Sequence, residues 1–79
     1  MKGHISISGD YEILKSAIKR LDELKRYRDG GRSFDYDCGH CRADYFYDDY
    51  DLAELDLEIL KGENLINESN EKYIEIEEW

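Results

Sequence analysis

The chain contains no proline, one methionine, one tryptophan and two cysteines in 79 residues. Without proline, no strand or helix is interrupted by a missing backbone donor. Two cysteines cannot make the disulfide framework of a small secreted domain. No apolar run approaches the length of a membrane span, so no membrane partner is expected. No charged start followed by an apolar segment reads as a signal peptide, so the expected compartment is cytoplasmic, where paired cysteines are reduced or metal-bound. Basic residues are scarce in the second half. Residues 34–79 hold three, Arg42, Lys61 and Lys72, against fifteen acids.

The charge is therefore lopsided. Residues 1–33 carry eight Lys/Arg against five acids, and the whole chain is at −9. A field of that sign repels nucleic acid and anionic membranes and attracts basic protein surfaces. The hydrophobic fraction of 41% suffices for one small core and argues against disorder. Residues 1–79 are read as a single domain, thinly stable because folding at this size buries roughly 60% of the unfolded chain's surface.

Apolar and polar residues alternate in "HISIS" (His4–Ser8), the pattern of a strand. Asp10 is placed to cap a helix in which Tyr11, Ile13, Leu14, Ala17, Ile18, Leu21 and Leu24 recur at helical spacing. That helix is expected to run to about Arg28 and stop at Gly30-Gly31. Asp51 and Glu54 resemble a capping box before "LAELDLEILKG", read as a second helix because Ala, Leu, Glu and Lys dominate it. "NLIN" and "KYIEIEEW" are strand-like and are expected to form a hairpin with Ile66 near Tyr73. The order β-α-β-β-α-β predicts an α+β fold, a small antiparallel sheet with helices on one face, ferredoxin-like in arrangement. If residues 54–61 are strand, the alternative is a single helix on a longer antiparallel sheet.

Between the helices lies "SFDYDCGHCRADYFYDDYD". Phe34, Tyr36 and Cys38 alternate with Asp35 and Asp37; Cys41, Ala43, Tyr45 and Tyr47 alternate with Arg42, Asp44 and Asp48. Two such arms joined by Gly39-His40 predict a hairpin with a type II′ turn. Cys38 then faces Cys41, Asp37 faces Arg42, and Asp35 faces Asp44, a like-charge pair costing about a few tenths of a kcal/mol. Asp35, Asp37, Asp44, Asp48, Glu75 and Glu77 become candidates for an uncovered sheet face or its rim.

Cys38-Gly39-His40-Cys41 resembles the active-site sequence of protein disulfide isomerases, but only in those four residues. In that family the pair opens a helix that lowers a thiol pKa; here it joins two strands, and the chain is too short for a thioredoxin fold. No cofactor is expected. Zinc is the one candidate, with Cys38 and Cys41 as ligands and His40 and His4 to complete four, yet no second half-site follows. A calcium-loop pattern is absent around Asp48, Asp49 and Asp51. No nucleophile–base set, phosphate-cradling loop or dinucleotide fingerprint is present, so no enzymatic activity is expected.

Function is expected to lie in the acidic, aromatic hairpin. Carboxylates at regular spacing imitate the charges of a nucleic-acid backbone, and tyrosines add rigid contact area. The expected site is Asp35, Asp37, Asp44, Tyr45, Tyr47, Asp48, Asp49 and Tyr50. Its expected partner is a basic protein surface, such as that of a nucleic-acid-binding protein, with no direct contact to nucleic acid. In size and charge the chain is similar to phage-encoded inhibitors of restriction and of CRISPR systems. The alternatives are a zinc-stabilised structural or adaptor module, and a homodimer in which one copy's basic helix meets the other's acidic sheet.

Overall fold

In the computed structural model, which describes Met1 to Trp79, the chain runs β1 (Gly3–Asp10), α1 (Tyr11–Leu24), β2 (Arg32–Asp37), β3 (His40–Tyr47), α2 (Tyr50–Gly62) and β4 (Ile74–Glu78), with a 3₁₀ turn at Glu71–Tyr73 leading into β4. The strands form one antiparallel sheet in the order β2-β3-β1-β4. The class is α+β with two helices, and residues 54–61 are helix. The long-sheet alternative fails because Ala53, Leu57 and Leu60 share one buried helical stripe, a spacing that a strand would split across two faces.

Both helices cover the same sheet face. Gly3 and Gly9 lie on one side of β1; a Cβ on Gly3 would meet Ala53 of α2 at 2.9 Å, and one on Gly9 would meet Leu14 of α1 at 3.2 Å. Ile5 and Ile7 alternate with these glycines and are fully buried beneath the helices, with Leu14, Ala17, Leu21, Cys41, Ala43, Tyr45 and Tyr47. The opposite face, carrying His4, Ser6, Ser8, Arg42, Asp44 and Phe46, has no helix over it.

Helix α1 begins as the sequence predicts, with the Asp10 carboxylate accepting the Glu12 N–H at 2.9 Å. It ends earlier, at Lys25, which adopts φ 53° and returns its N–H to Leu21 O, and not at Gly30-Gly31. The next residues are claimed by the sheet. Tyr27 packs beside Tyr45 with ring centroids 5.4 Å apart, and the Arg28 N–H donates to Phe46 O at 2.8 Å. These contacts replace the last turn of helix.

The hairpin forms in a different register. Its turn is Cys38-Gly39, with φ of 50° and 84°, as a type I′ turn requires. Asp37 therefore pairs with His40, Tyr36 with Cys41, Asp35 with Arg42, Phe34 with Ala43 and Ser33 with Asp44. The two cysteines do not face each other, and the Asp35–Asp44 repulsion does not exist. Moving the turn back by one residue shifts each pairing by two, so Cys38 leaves the strand for the turn, and the remaining strand side chains keep their predicted face while their opposite neighbours change. The observed register puts Asp35 across from Arg42 and leaves Asp44 across from serine.

Helix α2 is capped by Asp49, whose carboxylate accepts the Asp51 N–H at 3.0 Å, and not by an Asp51–Glu54 box. The Tyr50 N–H donates to Met1 O at 2.7 Å, which fixes the helix start against the strand end of β1. "NLIN" is loop, not strand. Asn70 locks it: its side-chain oxygen accepts the Asn67 N–H and its amide donates to Leu65 O, both at 2.8 Å. Leu65 and Ile66 thus serve the core from a loop, and β4 pairs with β1.

Candidate binding surface

The predicted site residues divide into three groups. Tyr45 and Tyr47 are fully buried and leave the contact surface altogether. Each uses its hydroxyl inside the protein. Tyr45 donates to Asp22 at 2.9 Å, and Tyr47 donates to Asp56 at 2.7 Å. Burial and then the neighbouring carboxylate push both phenol pKa values well up. Their alternation with acids is the inside of a half-buried strand, which from sequence looks the same as an aromatic contact surface.

Asp44 forms the second group, neutralised in place. Its carboxylate, only 14% exposed, lies 2.8 Å from His4 Nε2 and 3.0 Å from Arg42 Nε. Partial burial pushes its pKa up, but the hydrogen bonds from Arg42 and His4 outweigh this and hold it below the usual carboxylate range. His4 also places Nδ1 2.9 Å from Glu77, so both ring nitrogens meet carboxylates. The ring is stacked on Phe46 at 4.4 Å. Of the aspartates on the uncovered face, Asp44 is therefore paired, while Asp35 and Asp37 remain without a partner.

Asp35, Asp37, Asp48, Asp49 and Tyr50 make the third group. Asp35 and Asp37 are exposed near the hairpin tip, with Asp35 across from Arg42. Asp48, Asp49 and Tyr50 stand at the opposite end of β3, where α2 starts. The structure does not bring the two clusters together.

The cysteine motif is dispersed too. Cys38 is exposed in the turn, whereas Cys41 is buried on the helix-covered face, where desolvation pushes its thiol pKa up. His40 pairs with Asp37 at the hairpin tip, and His4 lies at the far end of β1 in its carboxylate clasp. No group of three or more His, Cys, Asp or Glu side chains converges on a point.

Two features escape the sequence reading. The first is the distribution of acid in space. Residues 48–79, which build α2 and β4, hold twelve acids and two basic residues, while residues 1–47 hold eight acids and nine basic residues. Because β4 is an edge strand and α2 packs on β1 and β4, the excess gathers on one side of the molecule. Asp48, Asp51, Glu54, Glu75 and Glu78 are exposed there with no cation within 4.0 Å. Asp51, Glu54 and Glu58 follow helical spacing on the outer stripe of α2, with Leu55, 45% exposed, among them. The second is an aromatic and cationic cluster on the uncovered face. Trp79, 52% exposed, meets Phe46 edge-on at 5.5 Å, with Arg28 5.3 Å and Lys2 5.2 Å from its ring. Phe46 breaks the polar alternation of β3, and that exception was its only signal in the sequence.

Asp56 is the buried acid of this side. Its Oδ1 lies 3.0 Å from Arg26 Nε without an aligned hydrogen bond, so the contact is a charge pair; its Oδ2 accepts from Tyr47. Burial pushes its pKa up, and Tyr47 and Arg26 offset this only in part. The group ties α2 to the segment after α1 and is inaccessible to any partner. No helix is long and apolar enough to cross a membrane. No protein-family model matches the chain, and neither a curated protein nor a solved structure matches it.

Proposed function

We propose that this protein acts by binding, without catalysis, and that it sets its acidic β4–α2 side on a basic surface of a partner protein. One observation carries this reading: residues 48–79, which build α2 and β4, hold twelve acids against two basic residues while residues 1–47 are near balance, a segregation that merely solubilising charge does not need. Asp48, Asp51, Glu54, Glu75 and Glu78 supply the charge, and exposed Leu55 supplies an apolar contact within it. Such a surface suits a groove built for phosphates, so the partner class is a nucleic-acid-binding protein whose site is occupied in place of DNA or RNA. Compared with the sequence expectation, the site moves from the hairpin arms to α2 and β4 and keeps Asp48.

The test is competition. The protein is titrated against a basic nucleic-acid-binding protein from its own source that has been pre-bound to labelled duplex. Displacement of the duplex is expected to weaken steeply between about 0.05 and 0.2 M salt. It is also expected to fail for an Asp51→Asn, Glu54→Gln, Glu75→Gln variant of unchanged fold. Displacement that ignores salt and these substitutions rules the reading out.

A further inference from the structure

The one cavity of the molecule lies on the side away from the acidic edge. A groove of about 520 Å³ separates α1 from the edge strand β2, with Tyr11, Lys15, Lys19, Asp22, Arg32 and Phe34 among its walls. Lys15 is tied to Glu12 at 2.8 Å and Arg32 to Asp22 at 2.7 Å, while Lys19 has no carboxylate within reach. The groove is thus a positive pocket on a protein whose net charge is −9. Beside it, β2 is paired only with β3, and no loop or helix backbone bonds to residues 32–37 from the other side. An open strand edge above a cationic, aromatic-walled groove is the arrangement that strand addition uses.

We propose that β2 and this groove receive an extended segment of a partner protein as a fifth strand. Side chains of such a segment alternate between the two sheet faces. Those on the helix side meet Phe34, Tyr36 and Lys19, which favours apolar and acidic residues. Those on the other side run beside Ser33, Asp35 and Asp37, which disfavours acids. The second requirement excludes another copy of this chain. In β4, "IEIEE", Ile74 and Ile76 suit the groove, but Glu75 and Glu77 would then stand beside the aspartates of β2. The occupant is therefore a different protein. This inference is independent of the acidic side, which binds charge of the opposite sign.

The experiment is an amide NMR titration of the whole chain with two peptides, acetyl-Thr-Glu-Thr-Ile-Thr-Glu-Thr-amide and its counterpart with lysine in place of glutamate. The glutamate peptide is expected to shift Arg32–Asp37 and the Lys15–Asp22 flank and to slow exchange of β2 amides. A Lys19→Glu variant, folded as judged by its unperturbed β1 and β3 signals, is expected to bind it about tenfold more weakly or worse. The lysine peptide is expected to leave β2 unmoved. Three results overturn the proposal: no β2 response to the glutamate peptide at millimolar concentration, an equal β2 response to both peptides, or β2 shifts that grow with protein concentration alone, which would make a second copy the occupant.

Discussion

The β2–α1 side and the β4–α2 side are each an edge strand beneath a helix, but they differ in how far acid outnumbers base. On the first, Arg32 grips Asp22 through two nitrogens, at 2.7 and 3.1 Å, and Lys15 meets Glu12, while Lys19 of α1 and Asp35 and Asp37 of β2 stay unpaired, one cation beside two acids. On the second, Glu63 meets Arg20 from across the helix interface, but Asp51, Glu54, Glu75 and Glu78 meet nothing. The fold itself asks for neither arrangement, since the buried stripes Leu14–Ala17–Leu21 and Ala53–Leu57–Leu60 do the packing on both sides. Charge on the outer stripe is free to vary, and here it is kept at one sign at the cost of self-repulsion. The proposed acidic surface and the proposed groove rest on that difference.

The largest expected effect comes from cutting the tie between the two sides. Asp56→Ala leaves Arg26 without its partner and Tyr47 without its acceptor, and it is expected to cost about 3–5 kcal/mol in urea unfolding. Asp56→Asn keeps an acceptor for Tyr47 and should cost less; equal losses would mean that the charge, not the hydrogen bond, is the tie. At the hairpin, Gly39 sits at φ 84° with open space around it, so Gly39→Ala is expected to destabilise by about 1 kcal/mol through backbone conformation alone.

A smaller effect separates the two kinds of carboxylate by pH. Asp44 has a lowered folded pKa, so its contribution is present above the unfolded value of about 3.9 and is lost as pH falls through the folded value. Asp56 has a raised one, so its penalty grows as pH rises from about that same unfolded value toward the folded one. Asp44→Asn is therefore expected to flatten the acid limb of the stability curve below about pH 4, and Asp56→Asn to remove the opposing slope above it. The smallest effect on stability is expected on the acidic side. Asp51→Asn, Glu54→Gln and Glu75→Gln together should change stability by only about 0.5 kcal/mol each way, since all three are exposed and unpaired. A large loss there would assign those acids to folding and remove the contrast between the sides.

Much of the fold was legible because the relevant signals are local. Alternation marked β1 and β3, helical spacing and Asp10 marked α1, and the assignment of Phe34, Tyr36, Cys41, Ala43 and Tyr45 to one face of the hairpin holds. What misled were residues whose role depends on distant partners. Lys25 ends a helix because Tyr27 and Arg28 are drawn to β3. Asn70, not a strand, organises "NLIN". Tyr45 and Tyr47 read as contact residues because an alternating strand does not say which of its faces is covered.

From sequence alone followed the element order, the capping of α1, the side of each strand residue and the concentration of acid in the second half, since each depends on neighbours a few positions away or on composition. Tertiary structure alone decided the hairpin register, the contacts of Asp44 with His4 and Arg42, the burial of Asp56, and the placing of the acid-rich second half along the β4–α2 edge. These depend on which strands become neighbours: β3 and β4 flank β1, so His4 reaches two carboxylates that lie 40 and 73 residues away in the chain. A carboxylate's availability to a partner is set by such neighbours, and sequence spacing does not carry them.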